Sequence, residues 1–356
     1  MPRNMEGFTT KLVNWYRVNR RDFPWRRTQD PYRIWVSEII LQQTRIEQGL
    51  GYYERFTERF PDIRSLSIAR PDDVMRCWQG LGYYSRARNM MEAARQIMEQ
   101  HGGIFPSTFA EIRTLKGIGP YTAAAIASIS FGEPVPVVDG NVIRFLSRLF
   151  GIEEPADSTT GKKTIHSLAA RLLDPQHPGD FNQGLMEFGQ QCCKPANPLC
   201  HQCIFSRDCR ALQTGKTDQL PVKGKPVKVT DRYFHYLVVT YTADMDTFFY
   251  IHRREGKDIW NGLYEFPLIE TTGAVTPAQL VKSGEWKELT RGCGARLIRS
   301  GPEVKHQLSH RLIHAVFFEV KVNRPLPGNF LQINEKDINK YPMAKLTEKY
   351  LNGRNK

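Results

Sequence analysis

The sequence predicts a mainly α-helical N-terminal region joined to a smaller α+β domain, and three observations predict it. Up to residue 213, apolar side chains recur at helical spacing between short Gly- and Pro-containing breaks. Residues 214–230, TGKTDQLPVKGKPVKVT, are rich in lysine, proline and glycine and poor in apolar residues, which marks a linker. Beyond it, in 231–356, aromatic and β-branched runs replace the helical period, as in paired strands. A chain of 356 residues is long enough to bury two cores.

Composition narrows the function. With 40% hydrophobic residues the chain is globular, and a formal net charge of +13 suits a polyanionic partner, most simply nucleic acid. No apolar run reaches the length of a membrane span, so no membrane role is expected. No leader pattern opens the chain, so a cytoplasmic protein with reduced thiols, associated with the bacterial nucleoid, is expected. Of seven cysteines, five fall between Cys192 and Cys209, which points to a metal site rather than a disulfide framework.

Residues 6–19 read as an amphipathic helix through Phe8, Leu12, Trp15 and Tyr16. Arg17, Arg20, Arg21, Arg26 and Arg27 then surround Phe23-Pro24-Trp25, either a solvated basic loop or a contact for phosphate and base. Asp30-Pro31-Tyr32 opens a helix expected over Ile34–Gln48, with Gln42-Gln43-Thr44 near its end. Glu38 lies on that helix, one turn from Ile34 and Leu41. Those apolar neighbours favour its protonated form, the form a general acid needs. Considered alone, the helix fits an ordinary exposed glutamate better.

Tyr52–Phe60, Pro71–Trp78 and Ser85–Gln100 read as further helices. Between the last two, Gln79-Gly80-Leu81-Gly82-Tyr83-Tyr84-Ser85-Arg86 is either a helix cap followed by core aromatics or a turn that inserts an aromatic wedge. Leu115 to Asn141 organises the rest. The turn Lys116-Gly117-Ile118-Gly119-Pro120 precedes an Ala- and Ile-rich helix over Tyr121–Ser130, whose N-terminus suits a phosphate. A Pro-broken loop then delivers Asp139, Gly140 and Asn141, where Asp139 is a helix N-cap, a functional carboxylate or both. Residues 142–150 and 162–174 continue the helices.

Cys193, Cys200, Cys203 and Cys209 follow as C-x6-C-x2-C-x5-C, a spacing that suits zinc or an iron–sulfur cluster, with Cys192 as a spare thiol or alternative ligand. Past the linker, Tyr233–Tyr241, Thr247–Arg253, Ala295–Ser300 and Leu312–Val322 read as strands. Pro277–Lys282 and Glu285–Thr290 read as short helices.

Taken together, DPYRIWVSEIILQQT, WQGLGYYSRARN, LKGIGPYTAAAIAS, VVDGNVIR and the four-cysteine run resemble the A/G-specific adenine DNA glycosylases, the MutY family of helix-hairpin-helix glycosylases. The resemblance runs through nearly the whole chain and is weaker in its C-terminal third. It implies a helix-hairpin-helix catalytic region over 1–213. A [4Fe–4S] cluster would sit in the 193–209 loop on Cys193, Cys200, Cys203 and Cys209. It also implies a monomer acting on double-stranded DNA at A:8-oxoguanine or A:G mispairs, with adenine turned out of the stack.

In that chemistry Glu38 protonates N7 so that adenine leaves neutral, and Asp139 stabilises the oxocarbenium-like sugar by charge or by a transient bond. Water then leaves an abasic site. Tyr121 and Asn141 match residues that line or support the site. Arg21 and Trp25 match the adenine pocket; Gln43, Thr44, Leu81 and Tyr83 match the space around the orphaned purine. Gly117 and Gly119 match the phosphate grip.

Two residues after Gly119, where endonuclease III relatives carry a nucleophilic lysine, this chain has Tyr121, which implies a monofunctional enzyme. Trp260 to Pro267 resembles a Nudix-like domain, without the Glu-rich helix that holds magnesium in working hydrolases. Ser309 and His310 match its 8-oxoguanine-sensing loop, although Leu308 stands where phenylalanine is usual. The competing readings are an endonuclease III-type glycosylase/lyase on oxidised pyrimidines, disfavoured by Tyr121 and the added domain, and a non-catalytic damage sensor, disfavoured by the paired carboxylates.

Overall fold

The computed structural model describes residues 7–224 and 229–354. They form two compact units. The first takes residues up to Ile68 and from Asn89 as far as the linker; the second takes Ala69–Arg88 and the residues after the linker.

The first unit is helical. Helix α1 (Phe8–Asn19) buries Phe8, Leu12, Val13 and Tyr16 along one stripe, as its periodicity predicts. Asp30 caps α2 (Pro31–Ile40) through Tyr32 N–H, with Pro31 preset at its first turn. The continuous helix expected over Ile34–Gln48 is instead broken. Residues 41–45 form a turn with Gln43 at φ 56°, and α3 (Ile46–Arg59) starts afresh. The break is invisible to periodicity because Leu, Gln and Arg are all good helix formers. Gly49 permits it: a Cβ there would sit 2.7 Å from Leu41 Cδ2, so α3 folds back closely onto the turn.

The short α4 (Ile63–Ser67) is closed by a capping box at Asp62. In the second unit lies α5 (Pro71–Trp78), while α6 (Ser85–Gln100) runs from the second unit back into the first. After α7 (Phe109–Ile112) comes α8 (Pro120–Phe131), whose Thr122 to Ser128 are all buried. It has no polar face, so it is a central rod. Helix α9 (Gly140–Phe150) is capped by Asp139 and ended by Gly151. It shares a core with α1, α10 (Thr159–Leu172) and α11 (Pro178–Gln191) through Phe8, Phe145, Ile165, Leu168, Phe181 and Phe188. The small α12 (Arg210–Gln213) follows the cysteine loop.

The expected linker packs in its first part. Leu220 is buried, and Val222 accepts from Ala156 N–H at 3.1 Å. Residues 225–228 lie outside the described residues.

In the second unit β1 (Thr230–Ala243) is central. It pairs parallel with β7 (Arg311–Val322) and antiparallel with β2 (Asp246–Arg253) and β4 (Leu268–Thr271). Outward from these lie β3 (Tyr264–Glu265) and β8 (Leu331–Asn334) on β2, and β5 (Arg296–Ser300) and β6 (Val304–Gln307) on β7. Buried residues alternate across β1 and β7 into two apolar clusters. One holds Phe234, Tyr236 and Phe317; the other holds Leu237, Val239 and Phe318. Helices α13 (Pro277–Lys282) and α14 (Gly284–Leu289) bury Leu280 and Trp286 in the second cluster, and α15 (Lys345–Arg354) buries Leu346 in the first.

Candidate active site

A cavity of about 540 Å³ opens in the first unit. Helix α2 contributes Ile34, Ser37 and Glu38 to its lining, and the 41–45 turn contributes Gln43 and Thr44. Tyr121 comes from α8, Asp139 and Asn141 from the start of α9, and Met186 and Gln190 from α11. Arg21 and Trp25 also line it. Six segments therefore meet in one place, and all but α11 bring residues singled out in the sequence.

Glu38 opens partly onto the cavity but is otherwise enclosed by protein. Burial pushes its carboxyl up to about 7, and the nearby Asp139 adds to the rise. The hydrogen bond from Tyr121 and the charge of Arg26 pull the other way. Tyr121 donates its hydroxyl to Glu38 Oε2 at 2.7 Å and lies 3.4 Å from Met186 sulfur. Burial and the two carboxylates hold the Tyr121 phenol well above its usual value, so it stays a donor.

Asp139 is both the cap and a cavity residue. Its Oδ1 accepts from Val142 N–H at 2.7 Å, and its Oδ2 accepts from Asn141 Nδ2 at 2.6 Å. Burial raises its pKa, while these donors and Arg144 favour the ionised form. The hydrogen bonds to Asp139 oppose its rise, whereas burial carries Glu38 to about 7, so that roughly half of it holds a proton at neutrality. Two carboxyls with different hydrogen-bonding surroundings thus share a single cavity, the arrangement that divides acid and anion roles. Asn141 is fixed in turn: Arg144 Nη2 donates to its Oδ1 at 3.0 Å, and Gly189 leaves room for it.

Sequence reasoning missed Glu187 on α11. It is wholly buried, yet it accepts from Arg21 Nε at 2.6 Å and Nη2 at 3.0 Å, and it is ion-paired with Arg26. Its burial alone would raise its pKa, but the two arginines hold it down to about 2. This pair of ion pairs fixes Arg21 and Arg26 along the cavity wall; Arg21 Nη2 also reaches Gln190 Oε1 at 2.6 Å. The available signal was the excess of arginines around Trp25, which need a buried anion if they are to be ordered.

Gly117 and Gly119 are exposed and do not line the cavity. Gly117 has φ 74°, and a Cβ there would meet Asn89 Cβ at 2.5 Å; Gly119 is the N-cap of α8 with open space around it. A backbone can approach those N–H groups, as a phosphate grip requires. In the second unit, Leu81 is buried, whereas Tyr83, at φ 47°, is 48% exposed. The Tyr83 hydroxyl and Ser309 Oγ are 2.6 Å apart although 226 residues separate them. Ser309 and His310 form the exposed tip between β6 and β7, closed by Leu308 N–H to Arg311 O at 2.8 Å.

Cys193, Cys200, Cys203 and Cys209 line one small pocket with Cys192 and Arg148. Arg148 Nη1 is 3.5 Å from Cys193 Sγ and donates to Lys194 O at 2.7 Å; Arg144 Nε donates to Cys193 O at 2.7 Å. Among the described residues no three His, Cys, Asp or Glu side chains are posed around a single ion. A cluster gives each thiolate its own iron, so four thiols around one pocket suit it without converging on a point. The donor set and the adjoining guanidinium fit such a group.

Two family models match the chain: "HhH-GPD superfamily base excision DNA repair protein" over residues 36–172 and "NUDIX domain" over residues 236–353. An adenine DNA glycosylase of Buchnera aphidicola subsp. Schizaphis graminum is 33% identical over 327 residues, 91% of this chain and 89% of that one. The human adenine DNA glycosylase is 42% identical over 227 residues, covering 61% of this chain and 42% of its own length, so this match spans less than half of the human protein. Among solved structures, a thermostable thymine-DNA glycosylase is 30% identical with a TM-score of 0.55, covering 59% of this chain and 97% of its own. An endonuclease III in non-covalent complex with DNA has a TM-score of 0.52 at 18% identity, covering 60% of this chain and 98% of its own, and shares the helical fold. Among the described residues no helix is long and apolar enough to cross a membrane.

Proposed function

The chain belongs to the adenine DNA glycosylases, within the HhH-GPD superfamily of base excision DNA repair proteins, and from that premise we propose that it hydrolyses the N-glycosidic bond of adenine mispaired with 8-oxoguanine or guanine in double-stranded DNA, leaving an abasic site. The observation that carries the reading is the pairing in one cavity of Glu38, raised to about 7, with Asp139, held by two donors.

Glu38 delivers its proton to N7 of the extruded adenine, so the base departs neutral. Asp139 faces the sugar as positive charge grows there and stabilises it. Tyr121 and Asn141 hold the two carboxyls in place. Arg21 and Trp25 shape the base pocket, and Gln43 and Thr44 stand in the gap left opposite. A general acid of this kind contributes about 10²–10⁴-fold. The cavity lining has no lysine among the described residues, which supports a monofunctional reaction.

Cys193, Cys200, Cys203 and Cys209 would hold a [4Fe–4S] cluster that cross-links a loop with too little apolar content for a core of its own. In this reading residues 1–213 remove the base, 214–230 link, and 231–356 sense the purine opposite through Ser309 and His310.

The test is single-turnover adenine release from duplexes with A opposite 8-oxoguanine, G, C or T, with and without alkali. Release from the first two, with strand breaks only after alkali, is expected. Breaks without alkali would point to lyase chemistry. Unchanged release by Glu38→Gln would sink the acid assignment.

A further inference from the structure

We infer that Asp258 is a positioning residue for recognition of the purine opposite adenine, acting through Arg311 on the Ser309–His310 tip. The inference rests on the reading of that tip as the purine sensor.

Asp258 sits in the β2–β3 loop and gathers three guanidinium groups from three segments. Arg232 of β1 binds it in a fork, Nη1 to Oδ1 at 2.8 Å and Nη2 to Oδ2 at 2.9 Å. Arg254 Nη2 reaches Oδ2 at 2.6 Å, and Arg311 Nη1 reaches Oδ1 at 2.6 Å. Partial burial would raise the pKa of this carboxyl, but the three arginines and the Ile259 backbone hold it below the usual range. Asp258 therefore remains an anion at any working pH.

The three arginines do not depend on it equally. Arg232 also holds Glu270, at 2.6 and 2.7 Å, and Arg254 also holds Glu265 at 2.8 Å. Among the described residues, Arg311 has its ion pair with Asp258. Loss of the Asp258 carboxylate thus leaves two arginines anchored and frees the third. Arg311 directly follows His310, and its carbonyl closes the tip by accepting from Leu308 N–H at 2.8 Å. The His310 carbonyl is pinned by Thr230 N–H at 3.1 Å, and Ser309 Oγ by the Tyr83 hydroxyl. Arg311 is the remaining hinge, and its side chain is the element of the tip that Asp258 controls. Charge-assisted bonds of this kind are short and directional enough to fix a hydroxyl and an imidazole against a base edge.

The experiment measures the ratio of single-turnover adenine release from A:8-oxoguanine to that from A:G, with thermal unfolding recorded for every variant. Asp258→Ala and Arg311→Met should each lower the ratio roughly tenfold, the worth of one charged hydrogen bond. The double variant should lower it no further, because both act through one bond. Glu270→Gln, which leaves the Asp258–Arg311 pair intact, should lower the melting temperature at most and keep the ratio. Ser309→Ala calibrates the underlying reading: an unchanged ratio there would defeat the sensor assignment itself. A collapsed ratio in Ser309→Ala with an unchanged one in Asp258→Ala, or independent effects in the double variant, would overturn the role of Asp258. Should Asp258→Ala fail to fold, Arg311→Met cuts the same bond from its other end and decides the matter.

Discussion

Glu38 carries two consequences of one burial. A carboxyl raised from 4.5 to about 7 binds its proton more tightly in the folded chain than in the unfolded one. The stability this contributes is fully present below pH 4.5 and is lost as pH rises through 7, by on the order of 3 kcal/mol. Glu38→Gln, which titrates nothing there, should therefore gain on the parent protein across that window, measured as the difference in unfolding free energy at pH 5 and pH 8. Over the same window the base-release rate of the parent should fall. Tyr121→Phe gives a less obvious outcome. Its hydroxyl favours the ionised Glu38, so removing it should move the alkaline limb of the rate profile to higher pH, even if the maximal rate drops. Glu38 was singled out in sequence by the resemblance of its motif, because its helix alone fits an ordinary exposed glutamate better. Glu187 was not, because a charged residue on a helix gives no local sign that arginines 161 and 166 residues earlier will meet it.

Helix α9 joins two regions that the sequence presents as separate motifs. Its first turn fixes Asp139 and Asn141, and its later turns send Arg144 and Arg148 into the backbone around Cys193. Helix α11 lies against it so closely at Gly189 that a Cβ would be 2.7 Å from Asn141 Cβ and 2.9 Å from its carbonyl oxygen. Gly189→Ala must separate the helices and should destabilise the protein by about 1–3 kcal/mol. It should also slow base release by displacing Asn141 from Asp139; denaturant unfolding and single-turnover rates check the two effects. In the second half the four strands and two helices read from sequence lie within a few residues of their observed bounds, since period two and period 3.6 are local properties, but the short β3, β4, β6 and β8 and helix α15 were not read. The break at 41–45 was not, because a close approach between Gly49 and Leu41 decides it rather than propensity.

At the scale of the whole molecule, Ala69–Arg88 belongs to the second unit although it lies 140 residues or so before the linker's end. Asp72 accepts from the Tyr264 hydroxyl at 3.3 Å, and the Tyr84 hydroxyl donates to Met343 O at 3.3 Å. Nothing in local pattern announces this, as the segment reads as one more helix and turn among many. A protein ending at Gly224 should keep a first unit but lose the partners of this segment. It should become sensitive to protease between residues 69 and 88 and bind apolar dyes, in contrast to the full chain. The arrangement also bears on how such a protein can be rebuilt. A C-terminal unit cut from one gene and spliced after the linker of another would arrive without the twenty residues it borrows from upstream. Its recipient would supply its own in their place. Swapped C-terminal units must therefore be exchanged as two pieces or co-adapted at that borrowed segment, and a single crossover in the gene delivers a mismatched pair.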